Sequence, residues 1–302
     1  MSSILSKGTL FPVEVTNRMF NLVRGKSSLA RLSAAEPIPF NGERVFTFNF
    51  DKEADLVAEN GAKSKGGATI TPVNITPVKL EYGMRVSDEF KYAAEDVQLQ
   101  YLQAFAEGFA SKVARALDIM AFHGVNPRTG NTAAILNDNN FDALVSQIVA
   151  YNADAPQDNV TAAINTIQGN EHDVTGMAMA PSFKTALASI KQGSTSNVPL
   201  FPELGWGREV GAINGLPADA NSTVSFNSSA DKAIVGNFAD YFKWGFSKQI
   251  PLEVIEYGNP DNDAEAGDLK GHNQVYLRGE VYVGWGILVP DAFAIIKSGV
   301  SG

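Results

Sequence analysis

The feature that most constrains this chain is a pair of alternating runs that cannot bury themselves. Val45, Phe46, Thr47, Phe48, Asn49 and Phe50 have the period of two expected of a β-strand. Ala68, Thr69, Ile70 and Thr71, then residues 73–80, are β-branched and alternating as well. Between the runs lies a polar, glycine-rich stretch, residues 59–67, so residues 40–80 read as one extended β-hairpin. Pro72 and Pro77 each lack an amide donor and suit an edge strand. A two-stranded ribbon is marginal alone in water. This hairpin therefore predicts an external support, and its tip residues Glu59, Lys63, Lys65 and Gly66 are the candidate contact residues.

A long helix follows. Ser87 is placed as an N-cap before Asp88 and Glu89, and Asp96 is placed as the cap of a second helix running to His123. Leu102, Phe105, Phe109, Val113, Leu117 and Met120 recur at steps of three or four, which puts them on one helical face. Gly124 supplies the stop. At about 1.5 Å per residue such a helix spans roughly 40 Å, long for a compact domain. Residues 1–39, with a possible strand at 11–16 and a short helix at 17–23, carry too little apolar surface for a core of their own.

Residues 132–226 alternate helical and strand-like pieces: helices over 159–168 and 182–191, and a buried strand over 175–180 ended by Pro181. The last quarter returns to strands over 232–238, 250–257 and 274–284, with an acidic loop at 258–271 and a closing segment over 287–297. The pattern is α+β, with segments that leave and re-enter more than one lobe.

Composition narrows the function. The 302 residues carry 33 acidic and 24 basic side chains, a net charge of −9, and no basic run, which disfavours direct gripping of nucleic acid. Cysteine is absent, excluding disulfides and thiolate chemistry. No apolar stretch approaches the roughly 18 residues of a membrane span. The first residues show no signal-peptide pattern, so synthesis in the cytoplasm is expected.

No motif supports catalysis or a cofactor. His123, His172 and His272 are far apart and read as helix-end or loop residues. The loop over 261–268 alternates oxygen ligands as a calcium loop does, yet it lacks the glycine at its sixth position and has His272 where the bidentate Glu belongs. It reads as a solvated loop. Gly205-Trp206-Gly207 and Gly284-Trp285-Gly286 match no phosphate-binding pattern and read as turns with a packed aromatic. No metal, no cofactor and no enzyme are expected.

The order of these pieces resembles the major capsid proteins of tailed bacteriophages, with the Hong Kong 97-like fold. Residues 54–61 and the alternation to Leu80 look like that family's extended hairpin loop. Val86-Ser87-Asp88-Glu89-Phe90 resembles the entry to its helical region, and residues 113–124 resemble the end of its spine helix. Ala180-Pro181-Ser182-Phe183, Asn214-Gly215-Leu216-Pro217, Val235-Gly236-Asn237-Phe238, Leu277-Arg278-Gly279-Glu280-Val281 and Val289-Pro290-Asp291-Ala292-Phe293 are similar to later family segments in the same order. The resemblance covers about residues 40–297.

It implies an N-terminal arm (1–39), an extended hairpin loop (40–80), a peripheral lobe with a long spine helix (81–130 and 231–280) and an axial α/β lobe (131–230 and 281–302). It further implies self-assembly through pentamers and hexamers into an icosahedral shell that encloses the phage genome without sequence-specific binding. The arm and hairpin would lie over adjacent subunits. The expected partners are other copies of the chain, a separate scaffold protein, a portal and a decoration protein. Assembly is expected in the host bacterial cytoplasm, and the product is the virion. A scaffold segment fused in front is not expected, because the chain reaches the hairpin quickly from Met1, and covalent Lys–Asn cross-linking has no partner pattern. The rival reading is an encapsulin-like nanocompartment shell.

Overall fold

The computed structural model describes residues 26–193, 196–207, 209–249 and 252–300. The strand and helix expected over 11–23 lie outside them. The first described element is a short helix, α1 (Ser28–Leu32), capped by Ser27, whose side chain accepts from the Ala30 amide. The hairpin follows as β1 (Glu43–Phe50) and β2 (Ala68–Ile75), paired antiparallel from Glu43 opposite Ile75 to Phe50 opposite Ala68. The hairpin ends sooner than expected. Pro77 has no amide to carry the ladder on, and Val78 opens a different strand, β3 (Val78–Ser87), in a second sheet.

That second sheet is organised by β11 (Gln274–Ile287), which pairs with β3 on one edge along 274–283. On its other edge lie β10 (Glu253–Ile255) and then β9 (Phe242–Gln249). Across the sheet lies α2 (Glu95–His123). Its cap position is Ala94 rather than Asp96, which sits in the first turn, where a carboxylate still complements the helix dipole. Ser87 does cap, accepting from the Glu89 amide ahead of a single 3-10 turn. Gly124 stops α2 at φ +64°, a left-handed conformation that side chains disfavour.

The predicted stripe of α2 is buried, and it serves two cores. Leu102, Phe105, Phe109 and Val113 pack with Leu252, just before β10, and with Val254, Val275, Leu277 and Val281 of the second sheet. Gly279 permits this close approach, since a Cβ there would stand 2.7 Å from the Phe109 ring. One turn on, Leu117, Met120 and Phe122 enter a second core with Trp244, Trp285, Phe238 and Phe293. At its centre is Phe141 of α3 (Phe141–Leu144), ringed by Phe122, Phe238, Phe242 and Phe293 at centroid distances of 5.0–6.0 Å.

The third sheet is six-stranded. It contains β4 (Ile148–Ala150), β5 (Gly176–Met179), β6 (Ala212–Ile213), β7 (Leu216–Ala220), β8 (Asp231–Gly236) and β12 (Phe293–Lys297), in the order β4-β12-β8-β5-β7-β6. Two helices, α4 (Pro156–Gly169) and α5 (Pro181–Ala188), cover one face with Ile167, Phe183 and Leu187 against Ala233, Val235 and Ile296. Ile234 and Ile295 point to the aromatic core on the other face. Burial on both faces explains the continuous apolar run of β8.

Residues 231–236 therefore correct the expected partition. Grouped with the spine-helix lobe by sequence, they form β8, hydrogen-bonded to β12 and β5 inside the six-stranded sheet. A short helix, α6 (Phe238–Tyr241), then returns the chain to β9 in the other sheet. Likewise β11 runs past the expected boundary at 280 to Ile287.

Truncating Phe109 to Ala should cost about 3–5 kcal/mol, read as a lower midpoint in denaturant unfolding of the unassembled subunit. Gln103→Ala, at the flank of the stripe, should stay within about 0.5 kcal/mol of the parent. Equal stability of Phe109→Ala and the parent would contradict the packing described.

Candidate assembly surfaces

The register of the hairpin sorts its side chains. Phe46, Phe48 and Phe50 lie on one face with their cross-strand partners Pro72, Ile70 and Ala68. All three phenylalanines are more than half exposed, as is Ile70. An apolar face of this kind, left uncovered on a ribbon that has no other layer, marks a site of association. Nothing in the subunit lies over it among the described residues.

Between the strands, residues 51–67 form a loop without regular structure. Its base is closed by Asp51, whose Oδ1 accepts from the Gly67 amide at 2.7 Å, and by Lys52 donating to the Lys65 carbonyl at 3.3 Å. Glu59, Lys63, Lys65 and Gly66 are all exposed, and the side chains of Glu59, Lys63 and Lys65 have no hydrogen bond or ion pair among the described residues. A Cβ at Gly66 would meet no atom closer than 4.0 Å, so folding does not require glycine there. Leu56 beside them is almost entirely exposed.

The segment ahead of the hairpin behaves differently. Residues 26–38 dock on their own subunit, with Leu29 and Ile38 buried. The fixing point is Asp118, fully buried on α2. It accepts from the Ser27 hydroxyl, the Ser28 amide at 2.9 Å, the Leu29 amide at 3.3 Å and the Thr223 hydroxyl at 3.0 Å. Burial pushes the Asp118 carboxyl up to about 6, against the pull of these donors. Arg31 adds ion pairs to Glu209 and, at 2.8 Å, to Asp219, and Trp244 donates its indole N–H to the Ser33 carbonyl at 3.2 Å. The sequence reading missed the role of Asp118. An acid among small apolar residues at 113–124 was its only signal.

A second polar cluster joins the end of α2 to the six-stranded sheet. His123 donates from Nδ1 to Asp142 at 2.7 Å and from Nε2 to the Thr223 carbonyl at 3.0 Å. Two acceptors call for two N–H groups, hence for the imidazolium. Burial lowers the His123 pKa, but the bond and charge of Asp142 outweigh it and the net shift is upward. Lys297 lies 2.7 Å from Asp142 and 3.2 Å from the buried Asp231. Burial would raise the Asp142 carboxyl; His123 and Lys297 hold it at about 2. Asp231 is raised, by burial first and then by the Asp142 charge. His123, Asp142 and Asp231 could together ligate a metal, but the Lys297 ammonium already stands between the two carboxylates.

The remaining histidines do not converge on this cluster. His172 packs edge-on against Tyr241, and His272 bonds the Asp268 carbonyl. In the acidic loop, Asp261 is clamped by Arg85 through two bonds of 2.8 and 2.6 Å, and Asp263 accepts from the amides of Glu265 and Ala266. These oxygens are already engaged, by Arg85 of β3 and by amides of the loop. No helix among the described residues is long and apolar enough to cross a membrane.

An α+β subunit that leaves the apolar face of a two-stranded ribbon exposed has a surface suited to association. The family model described as the phage capsid family matches residues 7–298, and the chain belongs to that family. It is similar to a solved structure from Mycobacterium phage Ogopogo, with 33% identity, 91% of this chain and 92% of that one covered, and a TM-score of 0.76. A structure from Gordonia phage Cozz is 22% identical, covering 91% and 87%, with a TM-score of 0.69. A capsid of an empty GTA particle computed with C5 symmetry shares the fold at 15% identity, covering 91% and 90%, with a TM-score of 0.62. No curated protein matches the chain. The protein is a phage major capsid protein, a structural component of the virion, with the expected Hong Kong 97-like α+β architecture; a nanocompartment shell is not favoured.

The two polar clusters make stability depend on pH. With its pKa raised in the folded chain, His123 contributes fully below about pH 6.5, and that contribution is lost as pH rises through the raised value. Asp118 and Asp231 act in the same sense, because the folded chain holds their protons more tightly than the unfolded chain does. Asp142 opposes them only in acid, below about pH 4. The unassembled subunit should melt higher at about pH 5.5 than at about pH 8, and His123→Gln should shrink that difference. A melting temperature that rises over this interval, or a variant with the parent's pH profile, would refute the assignment.

Proposed function

We propose that the chain builds a closed icosahedral shell from pentamers and hexamers of itself, around the phage genome. The observation that carries this reading is the apolar hairpin face of Phe46, Phe48, Phe50 and Ile70, which the subunit leaves uncovered. A neighbouring copy supplies the missing layer, and the tip residues Glu59, Lys63, Lys65 and Gly66 make the contact at its far end. The lobe of α2 and β11 takes the periphery of each capsomer. The six-stranded lobe, with the fully exposed Trp206 on its surface, meets its neighbours around the capsomer centre. Assembly takes place in the host bacterial cytoplasm with a separate scaffold protein, a portal and a decoration protein as partners. The chain has no catalytic step in this role, in keeping with a family of structural capsid proteins.

Negative-stain electron microscopy of the expressed chain, with and without a co-expressed scaffold, should show shells of uniform size. Deleting residues 60–67 should leave a folded, soluble subunit, because the loop contributes no buried side chain. Shell yield should fall sharply. Normal shells from the deletion, or a deletion that fails to fold, would contradict the contact role of the tip.

A further inference from the structure

The cations of this acidic chain show no cluster in sequence, but the fold makes one. Lys112 and Arg115 are three residues apart on α2 and so share a face. Past the Gly124 stop, the turn at Pro127 brings Arg128 back beside them. The three side chains line one groove of about 530 Å³, whose apolar lining includes Phe109 and Phe226 and whose one carboxylate is Glu81. None of the three forms an ion pair among the described residues, and unlike the other unpaired cations, such as Lys63 and Lys65 in the hairpin tip, they line one groove together. Arg115 donates to the Ser222 hydroxyl at 2.8 Å, a single bond that orients the guanidinium and leaves its other N–H groups available.

We propose that this groove binds the phosphate backbone of duplex DNA. Three cations without counterions around one groove call for a ligand that brings several negative charges together. A single carboxylate would answer one of them. Duplex DNA carries a charge about every 3.4 Å of its axis on each strand, so one strand laid across the groove mouth brings successive phosphates past the three cations, and the planar arginine fork matches phosphate oxygens in pairs. The site reads no sequence, since it offers cations to the backbone and nothing shaped to a base edge. With a net charge of −9, each subunit binds weakly; many copies on one shell wall multiply the effect. The proposal rests on the reading of the chain as a shell around a genome.

Fluorescence anisotropy of a labelled short duplex of arbitrary sequence, titrated with the full chain between about 50 and 200 mM salt, tests it. Three phosphate contacts predict a log–log salt slope near −0.9 per contact, about −2.7 in all. Lys112→Gln and Arg128→Gln should each weaken binding and reduce the slope by about 1, while Lys63→Gln in the hairpin tip should change neither. No salt-dependent binding by the parent chain, or variants that bind like the parent, would overturn the proposal. Should the groove variants bind DNA normally yet lose shells at unchanged melting temperature, the groove takes an acidic surface of a second copy and the proposal fails. Salt-dependent binding by a parent that forms no shells would uphold the groove and remove the shell reading instead.

Discussion

Strand β11 is held by more of the molecule than any other element. Along 274–283 it is laddered to β3, and on its opposite edge β10 and β9 follow one another. Val275, Leu277 and Val281 are completely buried under α2. Further along, Val283, Trp285 and Ile287 enter the aromatic core that also receives the end of α2 and one face of the six-stranded sheet. One continuous strand and one continuous helix thus run side by side through two cores. Each core fixes the register of the other, because a slip of one residue in β11 would move Val275, Leu277, Val281, Val283 and Trp285 to the opposite face of the sheet. The hairpin is anchored here as well: Ile75 at the end of β2 is buried, and a Cβ on Gly286 would stand 2.7 Å from it.

The polar clusters sit where the apolar surfaces cannot specify geometry. Near its C-terminus α2 must meet the arm, the six-stranded sheet and α3 together. Asp118 gathers five donors from two chain segments, and His123, Asp142, Asp231 and Lys297 close an ion quartet between helix and sheet. Buried charges give little net stability. Leaving one of these groups without its partner is costly, however, so the donors enforce a single arrangement of residues 26–33, α2 and the six-stranded sheet. Asp118 is pushed up to about 6 by burial and His123 is raised by Asp142, so the junction of α2 with the six-stranded sheet responds to pH.

Much of this was legible in sequence because it is periodic. The stripe from Leu102 to Met120 identified the buried face of α2, and the alternation of residues 45–50 identified β1. Gly124 marked the helix end as a glycine, the residue that most readily takes the left-handed conformation found there. What is not periodic was not legible. A run such as residues 231–236 announces a strand buried on both faces but carries no label for its sheet, and the sheet it joined was the six-stranded one. The convergence of Asp118 with Ser27 and Thr223 spans about ninety and about a hundred residues, and Arg128 reaches Lys112 only because a turn reverses the chain. The exposed tip residues Glu59, Lys63, Lys65 and Gly66 could be located from composition, whereas the sequence of one chain carries no signal for what such residues would touch.

The central claim is that the hairpin is completed by a neighbouring copy and not by its own subunit. Hydrogen–deuterium exchange on the unassembled subunit and on assembled particles measures this directly. Amides of β1 and β2 should exchange rapidly in the subunit and become strongly protected on assembly, while those of α2 and β11 are protected in both. A hairpin already as protected as β11 in the subunit, or equally unprotected in the particle, would contradict the account.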